Sequence, residues 1–468
     1  MKRTMLALAL IAAAAAAAAR ADDALQAGFG EADITPTVGG GKPVYMAGFG
    51  YNRKATGVHD HLKARAVVLK SGSTKIALAC MDLVGFFLPN VEHVRDQLPG
   101  FEYVLISSTH NHEGPDSLGL WGPSIFQSGV DADYLKTVET QIVQAVRDAD
   151  AAMQPVSARI GAVRAPELLR DAREPYIKHE ELVALEFHTV KDDKPAGLLV
   201  QWNCHPETLD SKNTEISADF VGYAVTALQD AHHCPVVYLS GTVGGLMTTL
   251  GLEVKDADGK ELKDGTFEKT ERYGRLLAEA ADRALKDAKP VKLTPLEAHR
   301  LTVFLPLDNN AYLLMRQLGV LDREGYLWSG DPYKAEKADA KKDAAKPLCV
   351  RTEVGYLHMG ELEVAVIPGE IYPELVLDKV QDPSDPGADF PDAPIEAAIY
   401  KQLHGTYHML IGLGNDEIGY IIPKRQWDEK PPYCYGRKQP QYGEVNSLGP
   451  DTAPLLCKAF KELVEGKK

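Results

Sequence analysis

Several features that mark other protein classes are missing or scarce in this sequence of 468 residues. It has six cysteines but no Cys-x-x-Cys pair, which argues against zinc sites of the finger type. It has no Gly-x-Ser-x-Gly motif at a strand-to-helix turn, so a serine hydrolase is disfavoured. It also lacks a fixed-period repeat, coiled-coil heptads and a Pro/Ser-rich linker, which favours one globular unit.

Positive charge is scarce as well. The chain has 51 basic against 66 acidic residues, a net charge of -15, and three of the basic residues (Lys2, Arg3 and Arg20) lie in a segment interpreted below as a leader. Such a protein repels phosphate backbones and anionic headgroups, so we expect no nucleic-acid partner and no stable membrane insertion. The sequence leaves the oligomeric state undetermined.

Residues 1–21 have the pattern of a cleavable Sec-type signal peptide. Lys2 and Arg3 form the basic start, Met5 to Ala19 form the apolar stretch, and Ala19-Arg20-Ala21 is the cleavage sequence. The alternative is a membrane anchor, but the stretch is dominated by alanine and is short for a bilayer span of about 20 residues. We therefore expect a periplasmic or secreted protein.

Residues 22–468 are expected to form one catalytic domain, and a structural boundary near residues 290–350 is the alternative. An oxidising compartment permits disulfides, and the six cysteines leave all 15 complete pairings open. Apolar runs rich in β-formers alternate with amphipathic helical stretches, which predicts an α/β fold with mixed sheets flanked by helices and an active site at strand ends. The predicted strands are 64–70, 75–79, 103–106, 158–163, 182–188, 196–202, 236–239, 296–304 and 362–367, and the predicted helices are 133–149, 220–231 and 270–287.

Three predicted strands end at side chains that bind metals. The first runs into His110-Asn111-His112, and if strand geometry persists, both imidazoles project from the same face. The others end at His205 and Glu370, each beside proline or glycine. Sites gather outside the carboxyl ends of parallel strands, and two histidines with one glutamate form a known catalytic zinc set. Taken singly, each of these residues is better explained as a polar loop, capping or salt-bridging group, and Tyr420 as a packed aromatic.

Several longer segments are similar to the neutral ceramidases, more broadly to the amino-terminal domain of neutral/alkaline non-lysosomal ceramidases. The similar segments are GFGEADITP at 28–36, MAGF at 46–49, STHNHEGP at 108–115, HP at 205–206 with NTEISADFVGY at 213–223, PGE at 368–370 and GLGNDEIGY at 412–420. Residues 442–452 resemble a further family segment. The chain ends soon afterwards, so we expect a divergent, bacterial-type member without the family's carboxy-terminal immunoglobulin-like domain.

The resemblance implies that one zinc ion is bound by His110, His205, Glu370 and Tyr420. It also implies that His112 handles a proton beside the metal and that Tyr442 stabilises the developing oxyanion. A family segment that bears an acid and a serine aligns with Gly241 to Leu246, which has neither, so the match to ceramide is weaker than the match to the metal site.

The expected activity is hydrolysis of a linear N-acyl amide, such as N-acylsphingosine, by a zinc-activated water, which needs no nucleophilic side chain. The expected partner is therefore a small-molecule or lipid amide. Two alternatives stay open: a zinc esterase or amidase acting on another small or cell-envelope substrate, and a non-catalytic secreted binding protein that retains the fold.

Overall fold

The computed structural model describes residues 24–339, 342–343 and 346–467. The predicted signal peptide, residues 1–21, lies outside the described residues. The helices are α1 Leu88–Asp96, α2 Ala132–Ala151, α3 Asp219–His232, α4 Phe267–Lys286, α5 Asn310–Gln317, α6 Pro373–Leu377 and α7 Thr452–Val464. The strands are β1 Gln26–Asp33, β2 Gly57–Val58, β3 Lys63–Ser71, β4 Thr74–Met81, β5 Tyr103–Ser108, β6 Gln154–Arg164, β7 Arg170–Asp171, β8 Glu181–Thr189, β9 Pro195–Trp202, β10 Glu215–Ile216, β11 Val236–Ser240, β12 Met247–Thr248, β13 Lys289–Val291, β14 Leu296–Pro306, β15 Tyr326–Leu327, β16 Glu336–Lys337, β17 Leu348–Met359, β18 Leu362–Val366, β19 Glu370–Ile371, β20 Tyr407–Ile411 and β21 Tyr420–Ile421.

The first large sheet has the strand order β11-β9-β8-β6-β1-β3-β4-β5, and β13 adds to β6. Its end pairs, β4 with β5 and β9 with β11, are parallel, whereas the pairs between them are antiparallel. The second large sheet, β16-β15-β17-β18-β20 with β14 beside β17, is antiparallel except for β18 with β20. The α/β class with mixed sheets and flanking helices is therefore confirmed.

Alternation along the strands explains how these layers stack. In β3, Val67 and Leu69 enter the core that both sheets share, whereas Ala66 and Val68 face the other side, where α1 and α2 cover the sheet. Residues two apart share a face of a strand, so one sheet contributes to two cores. Helices α3 and α4 cover the outer face of β8, β9 and β11, and α7 packs on the outer face of the second sheet.

The first sheet curls until its two ends meet. Ser240, the last residue of β11, donates its hydroxyl to the carbonyl of Thr109, which directly follows β5 (2.8 Å). The loop after β20 closes the junction, because Gly412 N donates to Ser240 O (3.0 Å) and Asn415 N donates to Ile106 O (2.7 Å). The carboxyl ends of β5, β9, β11 and β20 therefore face a common region.

All six cysteines lie in the described part of the chain, and each is buried and unpaired. The disulfides that an oxidising compartment permits are therefore not formed among them. Over the described residues, no helix combines the length and the apolar character needed to cross a membrane.

Candidate metal centre and active-site cleft

His110 reaches the site through a turn and not through a continued strand. Strand β5 ends at Ser108, and His110 has a φ of 67°, in the left-handed region that a non-glycine residue adopts only at a cost. The expected persistence of strand geometry is therefore wrong, although both imidazoles still reach one place. His110 Nδ1 donates to Val84 O (2.7 Å), which leaves Nε2 free to bind a metal.

His205 follows β9 and is held in the same manner. Its Nδ1 donates to Met247 O (2.8 Å), and its backbone N–H donates to that same carbonyl (2.9 Å). A carbonyl oxygen only accepts hydrogen bonds, so Nδ1 of His205 carries a proton, and Nε2 is the ring nitrogen that would bind a metal. His205 is 2% exposed, which keeps this imidazole in one orientation.

Glu370 brings a carboxylate to both imidazoles. Its Oε2 lies 2.9 Å from His205 Nε2 and 3.4 Å from His110 Nε2. Strand β19 places it there through its parallel pairing with β21, in which Glu370 lies beside Tyr420. Burial opposes ionisation of Glu370, but His110 and His205 outweigh it and hold the pKa of this carboxyl below its usual range.

The donor set fits a zinc ion. Zinc bonds of about 2.0–2.2 Å in a tetrahedron separate neighbouring ligand atoms by about 3.3–3.6 Å. The 3.4 Å between Glu370 Oε2 and His110 Nε2 matches this spacing, whereas the 2.9 Å to His205 Nε2 is a hydrogen-bond distance. Tyr420 is buried next to Glu370, and burial, then the charge of Glu370, raises the pKa of its phenol well above the usual range. A cation at this place would reverse that shift, since metal charge favours the ionised ligand.

His112 lies at the same centre with a different environment. The metal-binding atoms of His110, His112 and His205 all lie within 4.8 Å of one another. His112 Nδ1 faces Glu207 Oε2 at 3.4 Å, and burial, then the neighbouring His110 and His205, lowers the pKa of its imidazole well below the usual value. The neutral ring is therefore a proton acceptor, and its position also allows metal binding.

Gly48, in the MAGF segment, and Arg53, four residues after that segment, hold His112 in place. Gly48 has a φ of +90°, and a Cβ atom placed there would lie 2.2 Å from His112 Cγ, so only glycine fits. Arg53 donates to the backbone carbonyl of His112 and to that of Ala47, and its charge is balanced by Glu113 (3.0 Å). Gly48 and Arg53 thus position His112, a role that the MAGF motif alone did not indicate.

Tyr442 lies at the mouth of the site. It is 52% exposed, its ring centroid is 5.9 Å from that of Tyr420, and its hydroxyl accepts a hydrogen bond from Asn446. Burial of part of the ring, then the charge of Glu370, raises the pKa of Tyr442 to about 12. The phenol is consequently protonated near neutral pH and available as a hydrogen-bond donor.

An apolar cleft leads away from these residues. His110, His112, Glu370, Tyr420 and Tyr442 line one part of it. The apolar lining consists of Val84, Phe87, Leu118, Leu120, Trp121, Leu307, Leu321, Val350, Ile418 and Leu448. A cleft with a mainly apolar wall and a few convergent polar groups is typical of small-molecule sites.

Residues 241–246, where the resemblance is weakest, are not part of this lining. Gly241 is enclosed, because a Cβ atom there would lie 1.8 Å from Gln201 Nε2. Thr242 Oγ1 lies 2.9 Å from His179 Nδ1. Residues 241–246 therefore pack behind the site. They are followed directly by Met247, whose backbone carbonyl orients His205.

Sequence reasoning missed the residues that hold and surround the predicted ones. Val84 and Met247 act through their backbone carbonyls, and because every residue has one, the sequence does not reveal this role. Glu207 follows His205-Pro206 directly, and this position next to a predicted ligand could have indicated that it lies in the site. Glu417 lies inside the GLGNDEIGY segment, but nothing distinguishes it there from a loop residue.

Part of the sequence, and the fold, are similar to those of known proteins. Residues 25–243 match the family model described as neutral/alkaline non-lysosomal ceramidase, N-terminal. The structure is similar to neutral ceramidase from Pseudomonas aeruginosa, with a TM-score of 0.69, 18% identity, and coverage of 95% of this chain and 74% of that chain. It is also similar to a ceramidase complexed with C2, with a TM-score of 0.68, 16% identity, and coverage of 95% and 75%.

At such identities the structural likeness shows the fold, and no curated protein matches the sequence. The family match includes His110, His112 and His205 and ends before Glu370, Tyr420 and Tyr442. Residues 25–243 thus match the model of the neutral/alkaline non-lysosomal ceramidase family, which confirms the predicted resemblance, and this match together with the shared fold supports the coarse class of a ceramidase-like hydrolase.

Proposed function

We propose that this protein is an exported zinc-dependent amidohydrolase that cleaves the linear C–N bond of an N-acyl amide, with N-acylsphingosine as the first candidate substrate. One observation carries the proposal. Glu370 Oε2 lies 2.9 Å from His205 Nε2 and 3.4 Å from His110 Nε2, at the end of an apolar cleft.

The proposed ligands are His110, His205, Glu370 and Tyr420. His110 and His205 follow β5 and β9 and are held by backbone carbonyls, whereas Glu370 and Tyr420 lie side by side on β19 and β21. Zinc, when bound, would polarise the amide carbonyl and lower the pKa of a water molecule toward about 7.

His112 is the proposed proton carrier. Its Nδ1 faces Glu207, so Nε2 is the ring nitrogen that accepts the proton of the attacking water and passes it to the leaving amine nitrogen. The low pKa of this imidazole supports the role, because a histidine that is already protonated cannot accept. Such general acid–base help typically contributes about 10²–10⁴-fold in rate.

Tyr442 is proposed to donate a hydrogen bond to the amide oxygen as negative charge develops on it. The position at the mouth, beside Tyr420, and the protonated phenol support this role. The apolar wall of the cleft, which includes Trp121 and Leu307, suits an acyl chain, since burial of each CH₂ contributes about 0.8 kcal/mol.

Elemental analysis of the purified protein combined with a substrate panel tests the proposal. The panel contains N-acylsphingosine, short N-acyl amides and the matching esters. We expect one zinc ion per chain and release of the amine from the amides. Esters cleaved in preference to all amides would favour the esterase alternative.

A matched pair of proteins makes the test decisive. His110→Ala should lose zinc and turnover together, whereas His93→Ala, at an exposed histidine on α1, should keep both. Zinc bound without turnover on any substrate would instead support the non-catalytic binding protein. A purified protein that, after incubation with zinc, neither retains zinc nor hydrolyses any substrate of the panel would contradict the proposal.

We propose export on the basis of residues 1–21 alone. N-terminal sequencing of the protein recovered from a periplasmic fraction or the medium is expected to begin at Asp22. Recovery of the full chain starting at Met1 from the cytoplasm would refute this part of the proposal without affecting the catalytic part.

A further inference from the structure

Glu417 brings a buried acid to the cleft beside the proposed metal ligands. It lies in the loop between β20 and β21 and lines the cleft together with His110 and Glu370. Its side chain is 6% exposed. Gly85 makes room for it, since a Cβ atom at that glycine would lie 2.9 Å from Glu417 Cβ and Cγ.

Only half of this carboxyl group is used within the protein. Oε1 accepts a hydrogen bond from Gly419 N (2.7 Å), whereas Oε2 has no hydrogen-bond partner among the described residues. Leaving a buried acceptor unpaired costs about 1–3 kcal/mol, and more for a charged group. A folded protein therefore retains such an atom only where something else compensates for it.

The nearest arginine does not supply the missing partner. Arg323 donates to the Asp416 carboxylate and, through Nη1, to the backbone carbonyl of Glu417 (3.1 Å). Its guanidinium also lies 4.9 Å from the ring centroid of Phe87. Arg323 thus balances Asp416 and fixes the loop, and the carboxyl of Glu417 stays available.

The other acids of the cleft differ in this respect. Glu370 is engaged with His110 and His205, and Glu324 pairs with Lys337 and accepts from the Tyr326 hydroxyl (2.9 Å). Tyr312 lines the same cleft, and burial, then the charge of Glu417, raises the pKa of its phenol above the usual range. Glu417 thus places an oxygen without a hydrogen-bond partner among the described residues in a mainly apolar wall.

We propose that Glu417 is a substrate-binding residue whose free oxygen accepts a hydrogen bond from a hydroxyl or ammonium group carried by the amide substrate close to its scissile bond. This inference rests on the proposed amidohydrolase function. The last torsion of a glutamate side chain is soft, so the carboxyl turns toward such a group at little cost. The apolar wall holds the acyl chain, and Glu417 selects the polar group next to it.

The expected selectivity follows from the cost of the unpaired oxygen. A site built to hydrogen-bond a substrate group rejects an analogue that lacks the group, because its own buried polar atom is then left without a partner. A methyl group in place of the hydroxyl should weaken binding about ten-fold or more. Substrates with a bare alkyl amine should therefore bind poorly.

Binding of three matched probes to the zinc-loaded protein tests the inference. The probes are octane-1-sulfonamides that carry N-(2-hydroxyethyl), N-(2-aminoethyl) or N-propyl groups, and as sulfonamides they resist hydrolysis. Calorimetry on the wild-type protein should give at least one polar probe about ten-fold tighter than the N-propyl probe. A preference for the amine over the alcohol would identify an ammonium as the partner, and the reverse would identify a hydroxyl.

Two variants assign the preference to Glu417. In Glu417→Leu the ratio between polar and N-propyl probes should fall to about one, with the N-propyl probe bound as well as before. Glu417→Gln, which keeps an amide oxygen as acceptor, should retain part of the preference for the alcohol. Glu324→Gln, at a partnered acid of the same cleft, should keep the wild-type ratio.

Equal binding of all three probes, no detectable binding of any probe, or a wild-type ratio in Glu417→Leu would each overturn the inference. Zinc content and melting temperature of every variant show that the fold and metal site are intact, and Glu417→Gln serves where the leucine variant fails to fold. Because the probes are not hydrolysed, the outcome is separate from the proposed function: an inactive protein can still discriminate, and an active one can fail to.

Discussion

The two large sheets make different contributions to the proposed centre. The first sheet and its loops supply the imidazoles, each oriented by a backbone carbonyl: Val84 O for His110 and Met247 O for His205. The second sheet and its loops supply the carboxylate of Glu370 and the phenol of Tyr420, which are positioned by the pairing of β19 with β21. Neither sheet holds a complete donor set, so the proposed centre forms only where the two sheets meet.

Substitution of one ligand from each sheet gives the largest expected effect. Loss of a residue that only supports a metal ligand typically weakens metal binding by up to about 100-fold. Because His205 and Glu370 are themselves proposed ligands, His205→Ala and Glu370→Ala should each weaken zinc binding by more than this. The measurement is a zinc competition titration against a chelator, with elemental analysis. Full zinc retention in Glu370→Ala alone would show that Glu370 is not a ligand.

His112→Ala separates the two tasks inside the first sheet. We expect zinc to stay bound and the turnover number to fall by about 10²–10⁴-fold, because a proton carrier is lost and the proposed ligands are not. Steady-state kinetics on the best amide of the panel and zinc analysis provide the measurement. Loss of zinc would instead make His112 a ligand, as its position within 4.8 Å of the other histidines also allows.

Acid should loosen the contact between the sheets at His179. Burial lowers the pKa of this histidine to about 4, and its ring packs 5.5 Å from that of Tyr400 in the other half of the chain. The unfolded chain, with a histidine pKa of about 6.5, binds the proton first, so stability is lost as the pH falls from about 6.5 to 4. The loss between pH 7.5 and 4 should be about 3 kcal/mol.

His179→Gln checks this value, because glutamine can still hydrogen-bond to Thr242 but does not titrate. Denaturant unfolding at the two pH values should show a smaller difference in the variant than in the wild type, by about 3 kcal/mol. An unchanged difference would mean that other groups account for any acid sensitivity.

Tyr442→Phe has the smallest expected effect and probes the mouth of the site. Removal of one hydrogen bond to the developing charge should lower the turnover number about ten-fold, which corresponds to about 1.4 kcal/mol, with zinc content unchanged. Tyr176→Phe, at a phenol that is 64% exposed, is the control and should behave as the wild type. A loss of zinc in Tyr442→Phe would assign this phenol to the metal centre.

Much of the fold follows from periodicity. The predicted strand 196–202 is observed as β9, Pro195–Trp202, and the predicted helix 220–231 as α3, Asp219–His232. Strand β1 was missed because Gly28 and Gly30 lower the strand propensity of its sequence. Both are required by packing, since a Cβ atom at either would lie about 2 Å from a carbonyl oxygen of α2.

The candidate site was predictable only where a metal-binding residue type directly follows a recognisable strand in the sequence. Strand ends pointed to His110, His205 and Glu370, and the structure brings these three together. Tyr420 and Tyr442 came from the resemblance. The left-handed turn at His110 and the meeting of β5 with β11 depend on contacts far apart in sequence, which a local pattern does not encode.

The hydrogen bond from Ser240 to Thr109 also bears on the order in which the molecule folds. It joins residues 131 positions apart, and the closure of so long a loop must precede any gain from the contact. We therefore expect the hairpins of the first sheet to form early and the seam between β5 and β11 to close late. A refolding chain would regain most of its strand content before His110 and His205 meet, so the two histidines report on completion of the native topology.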